Sequence, residues 1–332
     1  MELNKTNEKT EKELQIAKYK KNLAIQQFGE EIWEYLFSDD YIEIMLNPDQ
    51  HIWVENYEKK WKTDIFIDEK QASRIITAVA SENGKELGKT KNSIISGTLI
   101  TGDRFEGISG EESKNKTIFC IRKKAKKIFT LDEYESSEVI TSEQKEYIKQ
   151  MIFERKNILI VGGTGSGKTT FINACLNELK DTDFRVITIE DTDELQCSAE
   201  DTIKLYSTPL TSSKIILESI MRMRPDIVIV GELRRGEEVQ ALLKAWNSGH
   251  DGGLSTTHAN SCVGGILKLQ QLLTDVKDIN TDSLALMIMN SVDIIVTIKK
   301  IGRKRKITEI AELKEYDHDR KKFILDYVCE VK

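Results

Sequence analysis

Proline is scarce, with three in 332 residues, so no Pro-rich linker marks a domain border and any boundary must show as a change of pattern. Cysteine is nearly as sparse: Cys120, Cys175, Cys197, Cys262 and Cys329 are odd in number, widely spaced and contain no CxxC pair. A disulfide framework and a Cys-based zinc site are both excluded on that spacing, and the thiols are expected to be reduced and mostly buried. No run approaches the roughly 18 to 20 uncharged apolar residues that a membrane span requires. The opening MELNKTNEKTEKEL has no apolar centre of a signal peptide, and a cytoplasmic location is expected. Neither charge dominates: 49 basic against 55 acidic side chains leave −6, too balanced for a protein that coats a polyanion. Aromatic and basic residues are not interleaved in the manner that stacks single strands, so no direct nucleic-acid partner is expected.

What remains is a chain long enough for two domains, each able to bury a core, and 39% hydrophobic residues rule out disorder of the whole. Residues 4 to 30 are polar with sparse apolar positions (Leu14, Ile16, Ala17, Leu23, Ile25), which reads as an exposed helical arm spanning 1–40 or a frayed tail. From Tyr41 the texture changes. YIEIML, the turn at Asn47, Pro48 and Asp49, and HIWVEN form a strand pair, and KWKTDIFI continues it. EKQASRIITAVASEN reads as a helix with Ile75, Ile76, Val79 and Ala80 inward. SIISGTLI with DRFEGIS reads as a hairpin, and TIFCIRK as a further strand. The first half is therefore expected to be an α+β domain over 41–137 with a mainly antiparallel sheet. The polar stretch 128–142 is the expected linker, with the border near 137.

Beyond it, apolar strands alternate with helices: NILIVGG, FRVITIED, IKLYS, DIVIVGE and GGLSTTHA are each separated by a helical pattern. Continuously apolar strands alternating with helices are the sequence form of a largely parallel sheet covered on both faces. VDIIVTI and KITEIAEL flank KKIGRKRK and read as a terminal hairpin.

The chemistry is concentrated in this α/β half. Gly162, Gly163, Thr164, Gly165, Ser166, Gly167, Lys168 and Thr169 satisfy G-x-x-x-x-G-K-[ST], the loop whose backbone N–H groups and following helix cradle phosphates. Chance supplies those four fixed positions in such a chain on the order of once in a hundred, and does not also supply the strand before and the helix after. Lys168 is expected to reach the β and γ phosphates and the Thr169 hydroxyl to bind Mg²⁺. At RMRPDIVIVGELR an apolar strand delivers Glu232 just beyond its C-terminal end, where open α/β sheets place ligands; a carboxylate there can polarise the attacking water, although a solvated Glu is the bland alternative. RVITIEDTDEL ends in Glu190, Asp191, Asp193 and Glu194. Beside a Mg²⁺-phosphate site, acids at strand ends have a use, and Glu190 and Glu232 are expected to reach the metal through water. Two of the four histidines, His250 and His258, flank one strand, which makes His258 a candidate phosphate sensor.

Taken in order, the phosphate loop, the acidic box (Arg185 to Glu194), RxRPDxxxxGExR (Arg222 to Arg234) and GHxGxxxTxHA (Gly249 to Ala259) resemble the secretion-ATPase superfamily of type II and type IV secretion, pilus assembly and conjugation. MLNPD, GDRFEGIS and LLKAWNSGHDGGLSTTHANS resemble most closely its TrbB-type conjugative-transfer branch. The resemblance runs from about residue 41 to about 315. It implies a RecA-like ATPase domain over 138–332 behind a PAS-like α+β domain, ATP and Mg²⁺ as cofactors, and a homo-hexameric ring. The implied partners are inner-membrane components of the secretion apparatus. By the same resemblance Lys168, Thr169 and Thr170 bind the nucleotide, Glu232 is the catalytic glutamate, Glu190 and Glu194 belong to the acidic box, and His250 and His258 to the histidine box. Arg104 and Arg122 match arginines that reach the nucleotide from the first domain, with 128–142 as the hinge. Arg235 departs from the family pattern, and the paired CxxC element of many type II and pilus-extension ATPases is absent.

Two basic clusters, Arg122 to Lys127 and Lys299 to Lys306, read as solvated faces or as peripheral contacts with anionic lipid at the inner face of the cell membrane. Three rival functions remain open on these residues: a pilus or type II secretion motor, a RecA-like nucleic-acid translocase, and a nucleotide-dependent assembly factor with negligible turnover.

Overall fold

A computed structural model describes residues 15, 18–56, 58–87, 93–125, 127–208, 210–276, 281–302 and 304–330. Leu14, Ile16 and Ala17 of the expected arm, and Lys126 and Arg303 of the two basic clusters, lie outside the described residues. The chain divides into two compact units, Met1–Lys126 and Lys127–Lys332.

The first unit is a six-stranded sheet of β1 (Tyr41–Leu46), β2 (His51–Asn56), β3 (Lys60–Phe66), β4 (Ile94–Thr98), β5 (Arg104–Ile108) and β6 (Ile118–Arg122), in the order β3-β2-β1-β6-β5-β4. Every pairing is antiparallel. Alternation puts Ile44, Leu46, Ile52, Val54, Phe105, Phe119 and Ile121 on one face. That face is covered by α3 (Glu69–Glu82), whose Ala72, Ile75, Ile76, Val79 and Ala80 are buried, and whose N-terminus is capped by Asp68 accepting from the Gln71 amide. Helix α1 (18–28) and α2 (Glu30–Phe37) add Ala24, Phe28, Ile32 and Leu36 to the same core. The stretch read as an exposed arm thus supplies core residues from Ala24 onward. Its sparse apolar positions form one narrow buried stripe, which a polar composition hides.

The second unit is an eight-stranded sheet: β7 (Ile158–Val161), β8 (Val186–Glu190), β9 (Thr202–Tyr206), β10 (Ile227–Val230), β11 (Leu254–Thr257), β12 (Ile294–Ile301), β13 (Lys304–Asp317) and β14 (Lys322–Glu330). They lie in the order β14-β13-β12-β7-β11-β10-β8-β9. The run from β12 to β9 is parallel, and β13 and β14 close one side antiparallel. Both faces are covered. Ile158 and Ile160 of β7 face one core with α4 (Leu131–Ser136), α5 (Ser142–Phe153) and α6 (Lys168–Asn177). Leu159 and Val161 face the other, built on α7 (Ser213–Ile220), α8 (Gly236–Trp246), α9 (Cys262–Thr274) and α10 (Thr281–Met289). A short strand buried on both sides must be apolar at every position, which is why ILIV and IVIV show no alternation.

The stretch 128–142, expected to be a linker and hinge, is part of this second unit. Thr130 and Thr141 each close a capping box, with Glu133 and Gln144 respectively. Leu131, Tyr134 and Ile140 enter the core beside Phe171, and the Tyr134 and Phe171 rings sit 5.3 Å apart. The division between the units falls at 126/127 rather than near 137. The few apolar anchors that looked like punctuation are packing residues, and burying one such side chain contributes roughly 1.5–3 kcal/mol.

Candidate functional site

Strand β7 runs directly into the phosphate loop, and close packing dictates its glycines. A Cβ on Gly162 would stand 2.4 Å from the Ile298 carbonyl oxygen of β12, and Gly167 adopts φ +97°, a left-handed conformation that L side chains rarely take. Gly167 sits at the N-cap of α6 and supplies no side-chain cap to the helix N-terminus. Six consecutive residues of α6, Phe171 to Leu176, are buried, which fixes the helix and the loop above it.

Lys168 is 8% exposed. Its Nζ donates to the carbonyl oxygens of Gly162 (3.0 Å) and Gly163 (3.2 Å), and stands 3.2 Å from His258 Nδ1. Lysine only donates, so Nδ1 accepts and the imidazole proton belongs on Nε2. That Nε2 lies 2.7 Å from Glu232 Oε1. The other carboxylate oxygen of Glu232 accepts from Arg234 Nη2 (2.6 Å) and Nε (3.0 Å), and Arg234 Nη1 donates to Asp191 Oδ2 at 3.0 Å. The polar chain Lys168, His258, Glu232, Arg234, Asp191 therefore follows the spatial strand order β7, β11, β10, β8. Each side chain or its loop emerges from the C-terminal end of a neighbouring parallel strand.

The acidic box separates into distinct environments. Glu190, at the end of β8, is 7% exposed. Its Oε1 accepts from the backbone N–H groups of Leu195 (2.8 Å) and Glu194 (3.0 Å), while its buried Oε2 has no hydrogen-bond partner among the described residues. Burial pushes the Glu190 carboxyl up to about 7, against the two backbone donors that pull it down. Asp191 is exposed and holds Arg234. Asp193 pairs with Lys204 at 3.5 Å. Glu194 contributes its backbone, its carbonyl accepting from Asn173 Nδ2 at 3.0 Å while Asn173 Oδ1 accepts from the Gln196 amide at 2.9 Å. Asn173 is buried in the middle of α6 and ties the phosphate-loop helix to the acidic loop. Sequence reading missed it; the signal was a lone amide in the otherwise apolar run FINACL.

The other expected site residues are distributed as follows. Thr169 and Thr170 occupy the first turn of α6 and are half-buried, and Thr164 and Gly165 are exposed at the loop's crest. The Ser166 hydroxyl is buried without a partner among the described residues. His250 is separated from His258: its Nδ1 lies 2.8 Å from the Pro225 carbonyl oxygen, ahead of the N-terminal ends of β10 and β11, so one strand length divides the two histidines. Arg104 and Arg122 belong to the first unit, where they sit directly opposite each other on β5 and β6, with Glu43 of β1 opposite Arg122. The Arg122 to Lys127 cluster is not one cationic surface. Lys123 is buried 3.6 Å from Asp103, and Lys127 pairs with Glu133 at 2.9 Å.

These residues fit a triphosphate and a hydrated Mg²⁺. The loop offers an uncapped helix N-terminus, a lysine and a buried unpartnered hydroxyl, and a buried carboxylate oxygen waits nearby. No group of three or more His, Cys, Asp or Glu that could hold a metal ion occurs among the described residues.

A parallel sheet with a glycine-tight phosphate loop on one strand and acids on the neighbouring strand ends defines a phosphate-binding α/β protein. Comparison gives the family: the chain belongs to the type II/IV secretion system protein family, whose model matches residues 113–321. It is 36% identical over 291 residues to the conjugal transfer protein TrbB of Rhizobium radiobacter, covering 87% of this chain and 88% of that one. It is 34% identical to the probable conjugal transfer protein TrbB of Sinorhizobium fredii, covering 92% and 93%. The fold is also that of the Legionella pneumophila ATPase DotB, with a TM-score of 0.63 at 18% identity over 88% of this chain and 81% of that one.

Proposed function

We propose that this protein is a Mg²⁺-dependent ATPase that energises a conjugative type IV secretion apparatus, working as a homo-hexameric ring at the cytoplasmic face of the membrane against inner-membrane components. The observation that carries the reading is the continuous polar chain from Lys168 through His258 to Glu232, set across adjacent strand ends beside the phosphate loop. The identity of more than a third with a conjugal transfer protein, over most of both chains, supports conjugation over a pilus motor. No helix among the described residues is long and apolar enough to cross a membrane, which fits peripheral attachment.

In this mechanism the α6 amides and Lys168 bind and orient the phosphates, and Glu232 orients the attacking water and takes its proton. Arg234, holding one oxygen of Glu232, fixes the carboxylate's direction. His258 couples Glu232 to Lys168 and so registers whether the lysine is engaged. Asn173 keeps the acidic loop aligned with the phosphate loop. Mg²⁺, held by the Thr169 hydroxyl and through water by Glu190 and Glu232, would supply charge neutralisation on the phosphate oxygens. Family resemblance assigns Arg104 and Arg122 to phosphate recognition. Purified protein should release phosphate from ATP only with Mg²⁺, and Lys168→Ala should abolish both turnover and tight ATP binding. Unchanged turnover in Lys168→Ala would remove the reading.

A further inference from the structure

One strand of the parallel sheet departs from the composition of its neighbours. β7, β8 and β10 read ILIV, VITIE and IVIV, whereas β11 reads LSTT, and its Ser255, Thr256 and Thr257 are all buried. A buried hydroxyl is unfavourable unless it is hydrogen-bonded, so three in succession need partners. All three partners lie on β10 or the loop that follows it. Ser255 Oγ donates to the Val230 carbonyl (2.7 Å), Thr256 Oγ1 to the Gly231 carbonyl (2.7 Å) and Thr257 Oγ1 to the Leu233 carbonyl (3.2 Å). Backbone pairing explains the need: β10 and β11 share one rung, Val230 with Ser255, where β10–β8 and β11–β7 each share four. Side-chain hydroxyls take over where the ladder runs out, because a buried carbonyl left without a donor is destabilising.

Two contacts made by Thr256 bracket Glu232. The Gly231 carbonyl belongs to the peptide unit before the Glu232 Cα, and the Leu233 amide to the unit after it. Thr256 holds both: its hydroxyl donates to the Gly231 carbonyl, and its own carbonyl accepts from the Leu233 amide at 2.8 Å. The Gly231 amide donates to the Ile189 carbonyl of β8 at 2.9 Å, so the turn is anchored from both neighbouring strands. A residue has only two soft backbone dihedrals, and fixing the peptide planes on both sides of a Cα fixes the direction in which its side chain leaves the backbone.

We propose that Thr256 is a positioning residue for Glu232, setting from β11 the direction in which the carboxylate leaves the end of β10. This rests on the assignment of Glu232 above and adds what aims it. Arg234 and His258 hold the carboxylate at its tip, and Thr256 fixes it at its root. The threonine of GHxGxxxTxHA thereby has a role of its own beside the two histidines.

Thr256→Val keeps the shape and loses the hydroxyl, whereas Thr256→Ser keeps the hydroxyl. In the full-length protein with saturating ATP and Mg²⁺, Thr256→Val should lower single-turnover hydrolysis about 10- to 100-fold, the scale of a misaligned reacting group. ATP affinity should be unchanged, and Thr256→Ser should turn over at a rate near the parent's. A cycle with Glu232→Gln separates aiming from general damage to the sheet: Thr256→Val should add nothing to the loss that Glu232→Gln already causes. A parent-like rate in Thr256→Val would overturn the proposal, as would an equal further loss in the Glu232→Gln background. Thr256→Ser carries the test even if the valine variant does not fold, since a slow serine variant would assign the effect to the methyl group and overturn the proposal too. A parent-like rate in Glu232→Gln alone would instead strike the assignment on which it rests.

Discussion

Replacing Glu190 by Gln should make the second unit more stable as pH rises, relative to the parent. Both side chains keep an oxygen to accept the Leu195 and Glu194 amides; they differ at Oε2, which is buried without a partner among the described residues. Burial raises the parent carboxyl from an ordinary 4.5 to about 7. A group raised in the folded state contributes its stability fully below 4.5 and loses it as pH climbs through about 7, because the folded chain holds the proton longer than the unfolded one. The gap corresponds to roughly 3 kcal/mol at about 1.4 kcal/mol per tenfold, of which about 2.5 kcal/mol falls between pH 5 and pH 8. The buried amide of the variant carries its own penalty of about 1–3 kcal/mol, but that penalty does not depend on pH. Trp246 is the second unit's tryptophan, since Trp33, Trp53 and Trp61 lie in the first. Urea unfolding can be read on Trp246 with those three changed to phenylalanine and with no nucleotide or Mg²⁺ present. The stability difference, variant minus parent, should grow by about 2.5 kcal/mol from pH 5 to pH 8. Parallel pH profiles would refute the reasoning.

Asn173→Ala removes the two hydrogen bonds that tie α6 to the Glu194 carbonyl and the Gln196 amide, so it should destabilise the second unit by about 1–3 kcal/mol. Because it frees the acidic loop, it should also slow turnover more than it weakens ATP binding, which parallel kcat and binding measurements would separate. Arg104→Ala and Arg122→Ala should each reduce ATP turnover while leaving ADP affinity largely intact; normal turnover in both would withdraw the phosphate-recognition role. Single-stranded DNA should not stimulate hydrolysis at physiological salt, and a strong stimulation that fades with rising salt would restore the translocase reading. Vesicles of anionic lipid are the matching probe for peripheral membrane contact.

The phosphate loop, Glu232 and the strand pattern were legible because each is a local signal. Tight glycines, apolar four-residue strands and acids at strand ends leave their marks within a dozen residues. The antiparallel first sheet was legible for the same reason, since period-two alternation appears strand by strand. Long-range packing was not. The 128–142 stretch shows a few apolar anchors among polar residues, and nothing local says that Tyr134 meets Phe171; the paired Thr-x-x-Glu and Thr-x-x-Gln patterns were the available sign that it was helical rather than a linker. The separation of His250 from His258 follows from strand direction, because residues that bracket a strand must lie at its opposite ends. Arg104 and Arg122 meet on one rung because β5 and β6 pair in that register, which depends on how the hairpins are ordered across the sheet. Asn173 was hidden by its apolar neighbours, its role depending on a loop more than twenty residues away.

Glu232, held by Arg234 on one side and His258 on the other, is the group proposed to orient the attacking water. Glu232→Gln keeps the shape and removes the charge, so single-turnover hydrolysis with saturating ATP and Mg²⁺ is the most direct test. The rate should fall roughly 10²- to 10⁴-fold, with ATP affinity preserved. A rate near that of the parent would contradict that role.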